Sequence, residues 1–529
     1  MNLLKKVLSS HLIWISFSDC KRLLSTKKMP FLAAIDQGTS SSRFLIFDSS
    51  TGKLIVDHQI PVQQLTPQTG YVEMCPNEIY TTVVECINKG CQKFEEHGYK
   101  VNDIRAVGLA NQRETTIVWD KITGKPLFNA IVWLDTRTSN LATKYIDKTP
   151  NKDKDFFKSK TGLPIHPYFS ALKLRWLLDN VDEIKEAYDN DTLLVGTVDA
   201  WLIWKLTGIH ATDVTNASRT LLLDLGKRKW SDELTTFFNI KKSILPEIKS
   251  SAENFGYFKD GPLINLPLSG VVGDQQAAMI GHNCLNIGDC KSTYGTGTFL
   301  LCNIGYKPVV SNFGLITTVG YQFGPNLPIV YALEGSGSIG GNVIRFLKDN
   351  LNFINNIKEC EELANSVSHT DGVYFVPCFS GLYTPYWDST ARGIICGLTQ
   401  SSTKAHITRA ALKSVAFQTG EMISAIENDF KNLNVKKLRI DGGMTFNKTF
   451  VQMQADLSGK EIGCPSMCEI SGFGAAITAG IGANIIEVEE YKKFTHPSIH
   501  NYKPLLDEKE RLIENEKWRE AVKRARNWV

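Results

Sequence analysis

The sequence predicts an α/β protein of two large, related domains, and three observations carry that expectation. At 529 residues the chain exceeds what one ordinary hydrophobic core holds together, so it should divide. Short apolar strand-like runs alternate with stretches of helical period along it, the rhythm of α/β layers. Two turns dense in glycine and hydroxyl residues, DQGTSSSR at 36–43 and STYGTGTFLLC at 292–302, each lead into an apolar strand, as two related halves would.

Composition excludes some functions. Apolar residues at 43% and charged residues at 22% are globular values, so most of the chain should fold. A net charge of +4 from 59 basic and 55 acidic residues gives no reason to expect a nucleic-acid partner. The 12 cysteines form no CxxC pair, and Cys464 and Cys468 are separated by three residues. They read as reduced, mostly buried thiols, which points to an intracellular protein.

The elements follow in order. Residues 1–30 carry Lys5, Lys6, Lys21, Arg22, Lys27 and Lys28 against Asp19 alone, the composition of a mitochondrial presequence. A secretory signal lacks its small-residue cleavage site here, and a disordered leader with Met29 as a second start is the plainer alternative. The soluble protein is expected in the cytoplasm, or at mitochondria through this leader. FLAAI (31–35) and RFLIFD (43–48) flank the first glycine turn and make it a hairpin. AVGLA (106–110) runs into NQRETT. SALKLRWLLDN (170–180) places Leu172, Trp176 and Leu177 at helical spacing. VVGDQQAAMIG (271–281) ends an apolar run on Asp274 and Gln275. LRIDGGMTFNK (438–448) reads as a strand, Gly442 and Gly443, then a helix from near Asn447. GFGAAITAGIGANII (472–486) is uncharged but too short and glycine-rich to cross a membrane. The final segment places Trp518, Val522, Ala525 and Trp528 on one face of a surface helix.

The residue types at these strand ends suggest phosphate chemistry. Glycine lets backbone amides approach a ligand, and hydroxyls and helix starts favour anions. Thr39, Ser40, Ser41 and Ser42 can donate to phosphate oxygens while Arg43 supplies charge. Asp36 cannot donate to an anion, so it either holds a metal ion, as magnesium with phosphates takes one or two carboxylates, or satisfies the turn backbone. Carboxylates at buried strand ends are costly to desolvate and need a partner or a task. Neighbours on a strand face opposite ways, so Arg113 and Glu114 can share one ligand only if the strand has ended. The alternative is an ion-pair network between domains.

DQGTSSSR, NQRETTIVWDKITGKPLFNAIVWLD, GTVDAWLIWKLTG, TNASRT, GDQQAA, YGTGTF, YALEG, PYWDSTARGIICGLTQ and DGGMTFNK, in this order, resemble the FGGY carbohydrate kinases from about residue 31 to the end. NQRETT, PYWD and ARG resemble the branch that phosphorylates glycerol. The resemblance implies two ribonuclease H-like domains of the actin and hexokinase type, at 31–281 and 282–529, with the active site in the cleft between them. It implies transfer of a phosphoryl group from ATP, with Mg2+, to glycerol, giving glycerol 3-phosphate. Arg113, Glu114, Tyr168, Asp274 and Gln275 would hold the glycerol hydroxyls, and Trp133 and Phe299 would wall its carbons. Thr39, Ser40, Ser41 and Arg43 would meet the phosphates from one side and Thr296 from the other. Gly341, Gly443 and Asn447 would line the nucleotide, and Asp36 and Asp274 would serve the metal. A primary alcohol is a poor nucleophile at neutral pH, so Asp274 is expected to take its proton as general base. Residues 255–268 lack the glycine-rich loop that binds fructose 1,6-bisphosphate in bacterial relatives. A homo-oligomer, dimer or tetramer, is expected. The rival readings are a kinase for another small polyol or triose and a non-catalytic, actin-like nucleotide-binding protein.

Overall fold

The computed structural model describes residues 30–337, 339–431, 433–496 and 499–528. The expectations for the leader at 1–30 therefore lie, Pro30 apart, outside the described residues. The first sheet is built from β1 (Phe31–Gln37), β2 (Ser41–Asp48), β3 (Leu54–Pro61), β4 (Ile104–Asn111) and β5 (Leu268–Gly273), in the order β5-β4-β1-β2-β3. The two hairpins β1-β2 and β2-β3 are antiparallel. On the other side of β1, β4 and β5 run parallel to it. Every residue of β1 is buried, which is what a strand covered on both faces requires. Helix α1 (Pro76–Glu96) packs on β2 and β3 through Ile79, Val83, Cys86, Ile87 and Phe94, apolar side chains that recur at helical spacing. The expected helix 170–180 is present as α2 (Ser170–Asn180).

The second sheet repeats this plan. Its strands are β6 (Cys290–Tyr294), β7 (Thr298–Gly305), β8 (Ile316–Tyr321), β9 (Val330–Gly337), β10 (Lys437–Asp441), β11 (Glu461–Pro465) and β12 (Ile499–Tyr502), in the order β8-β9-β7-β6-β10-β11-β12. Again a central antiparallel hairpin, β6-β7, has an antiparallel strand beyond one arm and parallel strands β10 and β11 beyond the other. The duplication expected from the two glycine turns is thus visible as two sheets whose central hairpins carry those turns. This is a ribonuclease H-like arrangement in both halves.

Four further helices complete the frame used below: α3 (Asp274–Gly281), α4 (Lys404–Asp429), α5 (Lys448–Ser458) and α6 (Ile470–Gly482). The uncharged run at 472–486 lies mostly in α6, a helix that crosses back onto the first sheet and packs on β1, β4, β5 and α3. Backbones there approach too closely for side chains. A Cβ on Gly108 of β4 would sit 2.1 Å from the carbonyl oxygen of Ala475, and one on Gly474 would sit 1.8 Å from that of Ala277. Both obstacles are backbone and cannot swing aside. Gly474→Ala is expected to lower stability by about 1–3 kcal/mol, read as a shifted urea midpoint with an unchanged slope.

The last helix, α7 (Glu508–Ala525), buries Trp518, Val522 and Ala525 as expected. The placement of Trp528 on the same face is corrected: the helix ends at Ala525 and Trp528 is 64% exposed. Arg526 is extended (φ −83°, ψ 159°) and its Nε donates to Asp388 Oδ2 at 2.7 Å, which turns the chain away before another helical turn can form. No helix among the described residues is long and apolar enough to cross a membrane.

Candidate active site

Parallel strands end at the same edge of a sheet, and ligands in such sheets gather beyond those carboxyl ends. In the first sheet Gln37 of β1 and Gly273 of β5 both pair in register with Asn111, the last residue of β4. The turn after β1, the loop after β4 and the helix start after β5 therefore converge. In the second sheet Thr293 of β6 is in register with Asp441 of β10, placing the turn at 295–297 beside Gly442. Gly442 has φ +95°, and a Cβ there would lie 2.5 Å from the carbonyl oxygen of Tyr294, so glycine is required for this contact.

The two edges face each other across one cleft of about 210 Å³. From the first half it is lined by Asp36, Gly38, Thr39, Ser40, Ser41, Arg43, Arg113, Glu114, Trp133, Tyr168, Asp274 and Gln275, and from the second by Thr293, Gly295, Thr296, Gly297, Phe299 and Ser471. Thirteen of the residues expected at the site meet here: the four phosphate-turn residues Thr39, Ser40, Ser41 and Arg43, their opposite number Thr296, the seven substrate residues, and Asp36. A larger hollow, about 640 Å³, is bordered by Lys160, Lys227, Trp230 and Lys242 and contains none of them.

Gly341, Gly443 and Asn447 do not line this cleft; they lie around its second-half turn. The Gly341 amide donates to the Gly295 carbonyl at 2.7 Å. Asn447 caps α5, its Oδ1 accepting from the Phe450 amide at 2.8 Å, and a Cβ on Gly443 would meet nothing within 4 Å. That leaves open space beside the turn.

The strand before Arg113 has ended at Asn111, and Glu114 has a left-handed backbone, φ 58°. This is the condition under which both side chains reach one cleft, and an unbranched residue in this region marks local strain of the kind held at functional sites. Arg113 Nη1 and Nη2 donate to Glu334 of β9 at 2.7 and 2.8 Å, and its Nε lies 3.3 Å from Asp274 Oδ1. Arg219 Nε donates to Glu114 at 2.5 Å, and its Nη1 lies 3.2 Å from Glu334. The ion-pair alternative is realised, since Arg113 ties the first half to Glu334 of the second, while Arg113, Glu114 and Asp274, the last with its side chain about a quarter exposed, still line the cleft.

These contacts set the protonation states. Burial pushes the Glu334 carboxyl up, but Arg113 and Arg219 outweigh it and hold the group down at about 2. Burial raises Glu114 against the pull of Arg219. It also raises Asp274, against Arg113 and Lys291 and with help from the charge on Asp36. A raised carboxylate near an alcohol is a better base than a free aspartate. Glu334 is the reverse case: a depressed pKa contributes stability that is full above the ordinary value of 4.5 and lost as pH falls towards 2. Urea midpoints measured between pH 5 and pH 2 are expected to fall with pH, and Glu334→Gln is expected to flatten that dependence.

Trp133 and Phe299, expected as an apolar wall, stand side by side in the cleft. Trp133 meets Tyr168 and Phe299 edge to face, centroids 5.8 and 5.6 Å apart. Trp133 Nε1 donates to Thr39 Oγ1 at 3.0 Å, so the hydroxyl at the phosphate turn keeps its own proton free for an anion. Lys291, buried behind the site, donates to Gln275 Oε1 at 2.6 Å and Thr293 Oγ1 at 2.9 Å. Asp36 does not satisfy its turn; it accepts from Arg43 Nη1 at 3.1 Å. Among the described residues no group of three or more histidine, cysteine or acidic side chains could cage a metal ion. Two cleft carboxylates, Asp36 and Asp274, suit an ion that arrives already bound to phosphates.

Sequence reasoning missed Glu334, Arg219, Lys291 and Ser471. The first two had a usable signal: a carboxylate inside the apolar run VYALEG and an arginine in TNASRT are as costly to bury as Asp274. Ser471 and Lys291 had none, because what they face is decided by packing.

Residues 31–281 match the N-terminal domain, and residues 290–483 the C-terminal domain, of the FGGY family of carbohydrate kinases. A probable glycerol kinase of Caenorhabditis elegans is 60% identical over 502 residues, 95% of this chain and all of that one. The glycerol kinase of Brucella anthropi is 44% identical over 94% of this chain and 99% of its own. The crystal structure of Plasmodium falciparum glycerol kinase with ADP superposes with a TM-score of 0.84 at 39% identity, over 94% of this chain and 98% of that one.

Proposed function

The chain belongs to the FGGY family of carbohydrate kinases, and on that premise we propose that it is a glycerol kinase, transferring the terminal phosphoryl group of ATP to glycerol. The observation that carries this is the single cleft in which both phosphate turns, Asp274 and the Arg113–Glu114 pair meet. Relatives named as glycerol kinases over nearly the full chain support glycerol as acceptor, and the ADP-bound relative supports an adenine nucleotide.

The mechanism follows from the residues. Arg113 donates to, and Glu114 accepts from, the hydroxyls of glycerol, while Trp133 and Phe299 cover its carbons. A small polyol offers little area, so such paired hydrogen bonds supply the discrimination. Asp274 takes the proton of the primary hydroxyl. Phosphoryl transfer otherwise needs positioning and charge stabilisation, which the hydroxyls and amides of the 38–41 and 295–297 turns and Arg43 provide. Asp36 and Asp274 would hold Mg2+, whose role is to neutralise charge on the phosphates. Water in the acceptor's place would waste ATP, and the two halves closing on the cleft exclude it.

Release of ADP in a coupled assay, with and without glycerol, tests the reading; it is expected to depend on glycerol and to exceed that with dihydroxyacetone or erythritol. ADP release unaffected by any polyol would end it. We also propose a cytoplasmic or mitochondrion-associated homo-oligomer, checked by sequencing the mature N-terminus from cells and by sedimentation.

A further inference from the structure

We propose that Asp213 is a positioning residue for phosphoryl transfer: one buried carboxylate that fixes the residue ahead of Asp274 through Thr215 and the residue that opens the 112–114 loop through Asn216. The inference rests on the phosphoryl-transfer reading above and concerns side chains that touch neither substrate nor nucleotide.

Asp213 is fully buried and caps the short helix Val214–Ala217. A cap needs to accept only from the backbone amides ahead of it, and here those are Thr215 N at 3.0 Å and Asn216 N at 2.9 Å. Three side chains donate to it as well: Thr215 Oγ1 at 2.8 Å, Asn216 Nδ2 at 2.9 Å and Ser251 Oγ at 2.8 Å. Each added donor orients a group that could otherwise turn.

Thr215 gives its hydroxyl proton to Asp213, so its lone pairs are what remains for the Gly273 amide, which donates to it at 2.9 Å. Gly273 is the residue before Asp274. Its own room is fixed too, since a Cβ there would lie 2.8 Å from Arg113 Cδ. Asn216, with its NH2 committed to Asp213, cannot flip. Its amide forms a reciprocal pair with Asn111, Nδ2 to Oδ1 at 3.0 Å in each direction. Asn111 in turn donates to the Gln112 carbonyl at 2.9 Å, the residue before Arg113. Two strand ends that carry the base and the glycerol clamp are thus registered to one buried side chain.

Displacement of a base by a fraction of an ångström costs rate more than binding. Thr215→Ala, which cannot clash, is expected to lower kcat about tenfold or more with glycerol KM changed by less than about threefold. Thr215→Ser keeps the hydroxyl and is expected to restore kcat to within about twofold. Asp213→Ala, which removes the acceptor of both Thr215 Oγ1 and Asn216 Nδ2, is expected to lower kcat and raise KM together. A folded Thr215→Ala enzyme with kcat within about twofold of the parent, or a serine variant as slow as the alanine one, would overturn the proposal. Should Asp213→Ala fail to fold, the Thr215 pair decides alone. If the parent enzyme shows no glycerol-dependent ADP release, the phosphoryl-transfer reading falls; an active parent insensitive to Thr215→Ala removes only the role of Asp213.

Discussion

Asp274→Asn is expected to lower kcat for glycerol about 10²- to 10⁴-fold, with the fold and most of the stability retained. The amide has the same shape, and its Oδ1 can still accept from the Gln275 amide as the carboxylate does at 2.7 Å. What it cannot do is take a proton from the alcohol. The stability effect is small for two reasons. The Asp274 side chain is about a quarter exposed, and its 3.3 Å contact with Arg113 is the weaker of the arginine's carboxylate contacts, since Glu334 holds two N–H groups at 2.7 and 2.8 Å. Steady-state ADP release on glycerol, with unfolding measured in parallel, is the check. Turnover within about tenfold of the parent would show that another group takes the proton.

Arg113→Met is expected to act on both stability and binding. Breaking a buried pair from one side costs about 3–5 kcal/mol, because the remaining charge is stranded out of water. Glu334 would keep one paired arginine, Arg219 at 3.2 Å, and the Ser336 hydroxyl at 3.1 Å, and Arg219 already serves Glu114. Methionine fills the space of the arginine stem without its charge, so the loss is electrostatic rather than a cavity. Glycerol would lose a donor in the same step, and KM is expected to rise at least about tenfold, the scale of one lost polar partner. A protein as stable as the parent with a raised KM would mean that Arg113 serves the ligand and does not brace the two halves. Unchanged KM with lost stability would mean the opposite.

Much of this protein is written locally. The hairpin turn at 36–43, the helices at 170–180 and from 448, and the strand endings at Gly273 and Asn111 are each set by residues within a few positions. There, glycine, capping side chains and apolar period act directly on the backbone. Repetition of one such pattern at 36 and 295 was enough to suggest two halves. Local order was not enough at the C-terminus, where the apolar spacing runs on to Trp528 but the Asp388–Arg526 contact, made across 138 residues, stops the helix.

By itself, then, the sequence determined the glycine turns, the strands that flank them and which residue types stand at the strand ends, because each of those depends on neighbours along the chain. The tertiary structure alone decided which charges meet: Arg113 finds Glu334 at a separation of 221 residues, and Arg219 finds Glu114 at 105. It also decided that α6, from the second half, completes the core of the first. The physical reason is range. Backbone conformation responds to the next few residues, whereas a buried charge or a close glycine contact is satisfied by whatever the fold brings beside it, and no spacing along the chain encodes that.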